Sequence, residues 1–484
     1  MFFVPLSLDR AETKEPGVAE ILRSIEAIGK LPGAACHYHV LPLHASLQAA
    51  EQRKVFLAAP RGLRKVVVAT NVAETSITIN DIVCVIDSGR VKEVFYDADA
   101  DVVRLQEGLV SRAAAEQRCG RAGRVRNGYC FKMYTWIVEM HGMKPRAECE
   151  MRRVPLEQTC LSVKAMGVDD VRAFLATTPS PPANEAVERA LMVLEHMGAT
   201  ADGKLTALGR HMAMIPADLR SAKLAVYGVL FGCVEPAVTV ASILNERSPF
   251  VAAARLAEPW GRRDPSEDER RRSAGGQGDL LADCRAWERW DVWRQQRSSA
   301  AATAAAAAAT AARRAAMWEP TGEPAGVTMG GATEWGELRE WCRAHHLIPA
   351  VLHDIAVERK RLLEALGGLG FLAWRAPAPL PAWLRRNNDN GVLLRGLIAG
   401  ALAPRIARIE RPEQRYRPLH SGALAVDPPA QQIRYTTNEN GAVTIHPSST
   451  LAGSRRFANN ADFLAFFTKM VQSHGVSVSE CTRE

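Results

Sequence analysis

The sequence predicts an α/β domain at the start of the chain, a mostly helical middle and a small β-barrel or sheet at the end. Short runs rich in β-branched residues occur between residue 1 and about residue 146, such as 65–70 (KVVVAT) and 82–87 (IVCVID). Helical stretches at 18–28 and 112–119 lie between and after these runs. Apolar runs of this length that alternate with helices are typical of buried parallel strands, so this part is predicted to be α/β.

In the middle of the chain, helical periodicity replaces the strand signal. The change begins at Pro155, and most of 208–370 has helical spacing of its apolar residues. An Asp-Gly pair at 202–203 predicts a short, wing-like hairpin. The alanine-rich tract 298–316 has low complexity, which predicts a surface insertion with transient helix.

The last part of the chain returns to strand signals. After a Pro-Ala-Pro sequence at 377–379, short β-branched runs occur at 406–409, 423–426 and 443–445. Short strands separated by turn residues predict a small β-barrel or sheet.

Composition limits the classes of function. The 484 residues are enough for three or four domains, and the net charge of +8 favours a polyanionic partner. No apolar run reaches the length of a membrane span, so no membrane partner is expected. The ten cysteines include no CxxC pair, which disfavours a zinc ribbon or a disulfide framework. We therefore predict a reducing compartment, the cytoplasm, with the nucleus as the alternative.

The sharpest signal for chemistry is QRCGRAGR at residues 117–124. Arg118, Arg121 and Arg124 recur every third residue and are separated by small residues, so we expect all three to project from one helix start toward a phosphate chain. The simpler interpretation is an exposed basic helix terminus without a ligand.

A second signal, ATNVAETSITI at residues 69–79, directly follows a predicted buried strand. Ligands bind at strand ends in α/β sheets, and hydroxyl groups and free amides suit phosphate oxygens. The simpler interpretation is a polar loop in which Thr75 or Ser76 caps a helix.

Together these two stretches resemble motifs V and VI of superfamily 2 helicases, in the form found in the DEAH/RHA branch. Residues 41–47 (LPLHASL) are similar to that branch's motif IV, and 52–56 (QRKVF) to the helix that follows it. The resemblance covers nearly the whole chain. It implies a RecA-like (P-loop NTPase-like) domain, then a mostly α winged-helix and ratchet region, then a small β OB-fold. The implied domains are a second RecA-like domain at 1–146, a winged helix at 147–203, a ratchet domain at 204–374 with an insertion at about 294–334, and an OB-fold at 375–484.

The resemblance also implies roles for individual residues. It assigns Gln117, Arg121 and Arg124 to the γ-phosphate of ATP and the attacking water, with the arginines as fingers. The residues it assigns to the rest of the nucleotide are Phe56, Thr78 and Asn80; many members have aspartate at the last position. A core phenylalanine is the alternative for Phe56. The residues it assigns to RNA phosphates are Ser46, Thr70, Asn71, Thr75 and Ser76. Residues 91–109 would form a strand-separating hairpin.

Two features of the motor are missing from the sequence. It contains neither a GxxxxGK[ST] phosphate loop nor a DExH box. We therefore expect a chain without the first RecA-like domain, which would hold most of the ATP and Mg²⁺, and expect the chain to be inactive alone.

The predicted function is ATP-dependent, 3′-to-5′ unwinding of RNA, either single-stranded RNA or a duplex with an overhang. Association with a ribosome or ribonucleoprotein is a further expectation. The alternatives are a non-catalytic scaffold that binds RNA or a partner protein and, less favoured, a DNA-unwinding enzyme.

Two other patterns are given simpler interpretations. His37, His39 and His44 suggest a metal site, but no carboxylate or cysteine completes the set, so no metal is predicted. Trp287, Trp290 and Trp293 recur at helical spacing, which predicts a packed helix face rather than a platform for stacking bases.

Overall fold

The computed structural model divides into two compact units. Unit 1 comprises Met1–Asp97, Val103–Pro155 and Thr178–Ala183, and unit 2 comprises Ala98–Val102, Leu156–Thr177 and Asn184–Glu484. The residues that the structure describes are 3–4, 18–31, 33, 37–44, 47, 52–75, 79–97, 102–122, 127–251, 265–316, 331–371, 380–413, 415–419, 422–426, 428–438, 441–447, 449–452, 454, 461–472, 475–479 and 481–483.

Unit 1 has the predicted α/β composition. Its strands are β1 (Phe3–Val4), β2 (Tyr38–Leu43), β3 (Arg64–Ala69), β4 (Cys84–Asp87), β5 (Arg90–Asp97), β6 (Val102–Leu109) and β7 (Tyr129–Lys132). Its helices are α1 (Val18–Gly29), α2 (Val72–Thr75) and α3 (Arg112–Cys119), with single turns at Lys54–Phe56, Val138–Gly142 and Glu150–Arg152.

The sheet of unit 1 is parallel where the sequence predicts buried strands. The strand order is β1-β3-β2, and β4 pairs in parallel with β7. β3 is covered on both faces. Val66 and Val68 pack toward Ile21 of α1, whereas Val67 and Ala69 belong to the core cluster on the other side. Burial on both faces explains the continuous apolar run in β3, since a half-exposed strand would alternate. β5 and β6 are neighbours, which confirms the predicted hairpin; its tip lies outside the described residues.

Unit 2 begins with helices. These are α4 (Glu157–Ala165), α5 (Val171–Ala176), α6 (Asn184–His196), α7 (Ala207–Met214), α8 (Leu219–Leu230), α9 (Val234–Asn245), α10 (Pro265–Ala274), α11 (Asp279–Ala316), α12 (Gly331–Ala344), α13 (Pro349–Gly368), α14 (Ala382–Arg385) and α15 (Gly391–Leu402). The wing-like hairpin is confirmed: β8 (Thr200–Ala201) pairs antiparallel with β9 (Lys204–Leu205). The turn between them needs Asp202 at φ 48° and Gly203 at φ 72°, a conformation that favours Asp-Gly.

The helical core centres on α8 and α9. Nearly every residue of both helices is buried, and a Cβ on Gly228 would come within 2.6 Å of the Ala237 Cβ. Glycine at this position therefore lets the two helices approach closely. Trp287 and Trp290 of α11 are buried, which confirms the predicted packed helix face. α11 also runs through the alanine-rich tract to Ala316, so in this structure the tract continues a packed helix. None of the described helices has both the length and the apolar character that a membrane crossing requires.

The end of unit 2 is a curled sheet. Its strands are β10 (Ile406–Glu410), β11 (Arg415–Leu419), β12 (Gly422–Val426), β13 (Arg434–Thr437), β14 (Gly441–Ile445), β15 (Phe463–Ala465), β16 (Thr468–Gln472), β17 (Gly475–Ser479) and β18 (Thr482–Arg483). Within the unit the strand order is β18-β15-β10-β13-β14-β17-β16, with β11 and β12 as a separate hairpin. All pairs are antiparallel except β14 with β17. Buried residues such as Ile409, Val443 and Leu464 form the core of this sheet, as the strand signals predict.

Asp279, the first residue of α11, fastens that helix to the curled sheet. Its carboxyl group is buried and accepts backbone N–H groups of Thr450 at 2.6 Å and Cys481 at 3.0 Å. Asp279→Ala is expected to lower the free energy of unfolding of this region by about 2–4 kcal/mol, since each buried amide without an acceptor costs about 1–3 kcal/mol. Urea unfolding, followed by hydrogen exchange at the Thr450 and Cys481 amides, measures this loss. Asp462→Ala is the matched control, because the Asp462 side chain is 67% exposed. Equal stability of the two variants would contradict the prediction.

Candidate nucleotide and nucleic-acid site

Two of the predicted RNA residues, Thr70 and Asn71, follow the carboxyl end of β3, beside the end of its parallel neighbour β2. β2 and β3 pair up to Leu43 opposite Ala69, so His44 and Thr70 follow at the same edge. The Thr70 amide donates to the Leu43 carbonyl at 3.1 Å and continues the pairing by one residue. This edge is where ligands bind in open α/β sheets.

The loop after β3 turns immediately into α2. The Asn71 carbonyl accepts the Glu74 amide at 2.9 Å, which starts the single turn of helix. Thr70 is half-buried and Asn71 is exposed, so Asn71 is open to a ligand at the sheet edge. Thr75 ends α2, and its side chain is not among the described groups. Four predicted site residues lie outside the described residues: Ser46, Ser76, Thr78 and Arg124.

The predicted arginine-rich motif lies at the end of α3. The Ser111 side chain caps the start of this helix by accepting the Ala114 amide at 3.1 Å. Gln117 is exposed in the last turn, and Arg121 follows the helix, partly exposed, with its Nε donating to the Gln117 carbonyl at 3.3 Å. The structure therefore brings together two of the three residues assigned to the γ-phosphate.

The expectation that three arginines project from one helix start is wrong in two respects. The motif lies at the end of α3, because the helix begins at Arg112 and ends at Cys119. Arg118 also does not face a ligand, since only 1% of it is exposed. The prediction relied on spacing, because three residues along an α-helix turn the side-chain direction by about 300° and would leave Arg118 and Arg121 near one face. The helix ends at Cys119, between the two arginines, so this spacing does not apply.

Arg118 instead joins three elements of unit 1. Its Nε donates to Glu74 of α2 at 2.9 Å, and its Nη1 donates to Asp87 of β4 at 3.0 Å. The same Nη1 donates to the Arg90 carbonyl at 3.1 Å. A planar guanidinium suits this arrangement, because it can donate in several fixed directions at once.

Asp87 is the second centre of this network. It is fully buried and accepts the Gly89 amide at 2.9 Å and the Tyr134 hydroxyl at 3.1 Å, besides Arg118. Burial and the neighbouring Asp87 raise the pKa of Tyr134, so its hydroxyl keeps the proton that it donates. Gly89 has φ 69°, and a Cβ there would lie 2.5 Å from the Tyr134 ring. The three donors that these contacts bring to Asp87, from Gly89, Arg118 and Tyr134, all belong to unit 1.

Lys65 connects the two segments that carry the predicted nucleotide residues Phe56 and Asn80. The buried Lys65 ammonium donates to the Val55 carbonyl at 2.8 Å and pairs with Asp81 at 2.8 Å. These contacts tie the turn that carries Phe56 to the loop that carries Asn80. Phe56 is 52% exposed, so the alternative of a core phenylalanine is wrong; Val55 fills the core instead. Asn80 is exposed as well.

These groups fit part of a nucleotide site. The exposed aromatic ring of Phe56 suits stacking on a base. The amide of Asn80 suits a ribose hydroxyl, and the guanidinium of Arg121 suits a phosphate. Within the described part of the chain, no group of His, Cys, Asp and Glu side chains is arranged to hold a metal ion.

Comparison with known proteins supports the helicase resemblance. Residues 13–126 match the helicase conserved C-terminal domain. Residues 190–217 match the winged-helix part of the helicase associated domain (HA2), and residues 218–282 match its ratchet-like part. The first match contains both the loop after β3 and the end of α3.

Curated relatives extend the similarity to almost the whole chain. A protein named as a DEAH-box ATP-dependent helicase in Mycosarcoma maydis is 37% identical over 94% of this chain and 27% of its own length. The ATP-dependent RNA helicase ucp12 of Schizosaccharomyces pombe, so named, is 33% identical over 94% of this chain and 31% of its own length. A human protein named as ATP-dependent RNA helicase DHX57 is 30% identical, with coverages of 85% and 28%.

The chain belongs to the DExH-box helicase family. Its fold is accordingly a RecA-like α/β domain, followed by winged-helix and ratchet-like helices and an OB-like curled sheet. The chain spans between 27 and 31% of the length of these three helicase relatives.

Proposed function

We propose that the chain forms the RNA-holding and ATP-responsive part of an ATP-dependent RNA helicase that translocates 3′ to 5′. The observation that carries this proposal is the ion-pair network of Arg118. One buried side chain joins α2 to α3 and β4, so it links the loop after β3 to the end of α3. A rigid link of this kind suits a protein in which events at ATP change the hold on RNA.

The RNA side of the proposal uses the sheet edge. Thr70 and Asn71, with Ser46, Thr75 and Ser76, would hold phosphates of a single strand. Contacts of that kind fix the position of the strand without reading its sequence, which suits translocation along any RNA.

The nucleotide side uses the groups organised by Lys65 and α3. Phe56 would stack on the base, and Asn80, with Thr78, would meet the ribose. Bound ATP and Mg²⁺ would supply the phosphoryl group and its counter-charge. Gln117 would orient the attacking water, while Arg121 and Arg124 would neutralise the charge that develops during phosphoryl transfer.

The domain boundaries are proposals too. We propose a RecA-like domain at 1–146, a winged helix at 147–203, a ratchet domain at 204–374 and an OB-fold at 375–484. We further propose the cytoplasm as the compartment and association with a ribosome or ribonucleoprotein.

The purified chain is expected to bind single-stranded RNA and to hydrolyse no ATP. The described residues would meet the γ-phosphate and the base, but the sequence has no GxxxxGK[ST] loop to cradle the phosphates. Fluorescence anisotropy with labelled RNA measures binding, and phosphate release with and without RNA measures turnover. RNA-stimulated turnover would contradict the assignment of the phosphate loop to another domain. Absence of RNA binding would overturn the proposal and favour a scaffold that binds a partner protein.

A double substitution tests whether the sheet edge is the RNA site. Thr70→Ala with Asn71→Ala is expected to weaken RNA binding about tenfold or more, because a hydrogen bond to a charged group contributes about 1.5–3 kcal/mol. Thr177→Ala is the control, since Thr177 is exposed in unit 2 and its hydroxyl donates only to the Phe174 carbonyl. If Thr177→Ala weakens RNA binding as much as the double substitution does, the RNA site does not lie at this sheet edge. Competition with DNA of the same sequence separates RNA preference from general binding of nucleic acid.

A further inference from the structure

Two buried cations lie near the start of α8, and no carboxylate among the described residues forms an ion pair with either of them. Arg220 is 7% exposed and Lys223 is 4% exposed, and they lie three residues apart on the same helix. Within the described part of the chain, neither side chain forms an ion pair, and the buried Nε of Arg220 has no hydrogen-bond partner. The nearby Asp218 caps the helix by accepting the Arg220 backbone amide at 2.9 Å.

The surroundings of Lys223 are equally poor in negative charge. Its ammonium lies 5.4 Å from the centre of the Tyr227 ring, which is a cation–π contact. Burial, and next the neighbouring Arg220, lower the pKa of Lys223. The start of a helix also carries partial positive charge from its free N–H groups, which adds to the positive potential here.

Two other buried cations of the described residues pair with carboxylates. Arg118 pairs with two carboxylates, and Lys65 pairs with Asp81. Arg359 lies 4.0 Å from the Trp287 ring centre and donates to the Thr239 hydroxyl. Buried charges in proteins are normally paired or hydrogen-bonded, because an isolated one loses its hydration without replacement. Two adjacent cations without compensation therefore indicate an anion from outside the described chain.

We propose that Arg220 and Lys223 form an anion site that binds a phosphate of the RNA strand. This inference rests on the proposed function, and it adds a contact in the helical region to the contacts proposed at the sheet edge of unit 1. An arginine provides a planar fork and a lysine a point charge, and both are common partners of phosphate oxygens. The net charge of +8 favours a polyanion over a lone carboxylate as the ligand. The shared chemistry is a phosphate group, whether in RNA or as free inorganic phosphate.

The salt dependence of RNA binding tests the site. Anisotropy titrations with single-stranded RNA are run over a series of KCl concentrations for the wild-type chain, Arg220→Gln, Lys223→Gln and the double variant. Each phosphate neutralised on a single strand contributes about 0.7 to the slope of log K against log salt, so the double variant, which loses one phosphate contact, should lose about 0.7. Lys360→Gln is the control, because Lys360 is 69% exposed and pairs with Glu364. An unchanged slope in the double variant overturns the proposal.

A second measurement separates free phosphate from RNA, and its wild-type arm does not depend on the variants folding. Millimolar inorganic phosphate, compared with chloride at equal ionic strength, is expected to raise the unfolding temperature of the wild-type chain in a saturable way. The increase should disappear in the double variant and persist in Lys360→Gln. No saturable increase in the wild type overturns the anion site, and an increase without a change in RNA slope overturns the RNA assignment. If the chain binds no RNA at all, the proposed function fails, while the phosphate measurement still decides the anion site.

Discussion

Alanine in place of Arg118 is expected to lower the free energy of unfolding of unit 1 by about 3–5 kcal/mol, the range typical of breaking a buried ion pair. The substitution leaves Asp87 fully buried without a cation and removes the donor to Glu74 and to the Arg90 carbonyl. Tyr134 and the Gly89 amide still donate to Asp87, so this carboxylate loses only part of its hydrogen bonding. Urea unfolding, read through hydrogen exchange at amides of β4 and α3, measures the change.

Arg112→Ala provides the control for this prediction. Arg112 is in the same helix, and among the described side chains its guanidinium contacts only the Met140 sulfur, at 4.0 Å. Its removal should leave the stability of unit 1 nearly unchanged. Arg118→Lys should fall between wild type and Arg118→Ala, because one ammonium cannot replace a fork that reaches Glu74 and Asp87 together. A loss in Arg118→Ala no larger than that in Arg112→Ala would show that the network does not hold the unit together.

The Arg118 network also predicts which substitutions share one effect. Glu74→Gln and Arg118→Lys act on one ion pair, so their effects on stability should not be additive. The same network connects the loop that we assign to RNA with the helix end that we assign to the γ-phosphate. In the proposed function, rigidity at this place would serve more than stability, because a loose link would let one end move without the other.

Much of unit 1 could be predicted because its local signals agree with its fold. The continuous apolar run of β3 requires cover on both faces, and α1 and the second core cluster provide it. The same holds for the wing-like hairpin of unit 2, which needed only an Asp-Gly turn, and the structure has that turn. In β3 and in this turn, the residue pattern and the tertiary structure impose the same constraint, so the pattern is sufficient to predict the local structure.

The role of Arg118 could not be predicted from spacing. Its partners lie 44 and 31 positions away in the chain, and only the fold brings them together. One signal was available: Asp87 is the last residue of an otherwise apolar strand, and a buried carboxylate at a strand end needs a cation nearby. The sequence does not say which arginine supplies it. The role of Lys65 could not be predicted either. Lys65 belongs to β3, as its sequence context predicts, but its ammonium also connects the segments that carry Phe56 and Asn80.

The buried cations of α8 were missed for a different reason. Arg220 and Lys223 lie in a stretch whose apolar residues recur as in any packed helix, and long charged side chains on such helices usually extend to solvent. Burial of both residues becomes visible only when the neighbouring helices are in place. Sequence patterns report which residues are apolar, whereas a missing partner for a charge is a property of the assembled core.

Arg121→Ala is expected to lower RNA-stimulated ATP hydrolysis by about three to five powers of ten, the range found for arginine fingers in phosphoryl transfer. Arg121 directly follows α3, the helix that Arg118 ties to α2 and β4. Its Nε donates to the Gln117 carbonyl, and its side chain is partly exposed. The assay uses a fusion of this chain to the part of the Mycosarcoma maydis relative that precedes the matched region. The loss should appear in kcat with little change in KM, because the guanidinium acts on charge that develops in the transition state. Arg112→Ala in the same fusion should keep the rate, and RNA binding should survive in both variants. Full activity of Arg121→Ala would remove the arginine from the reaction and leave the end of α3 a structural element.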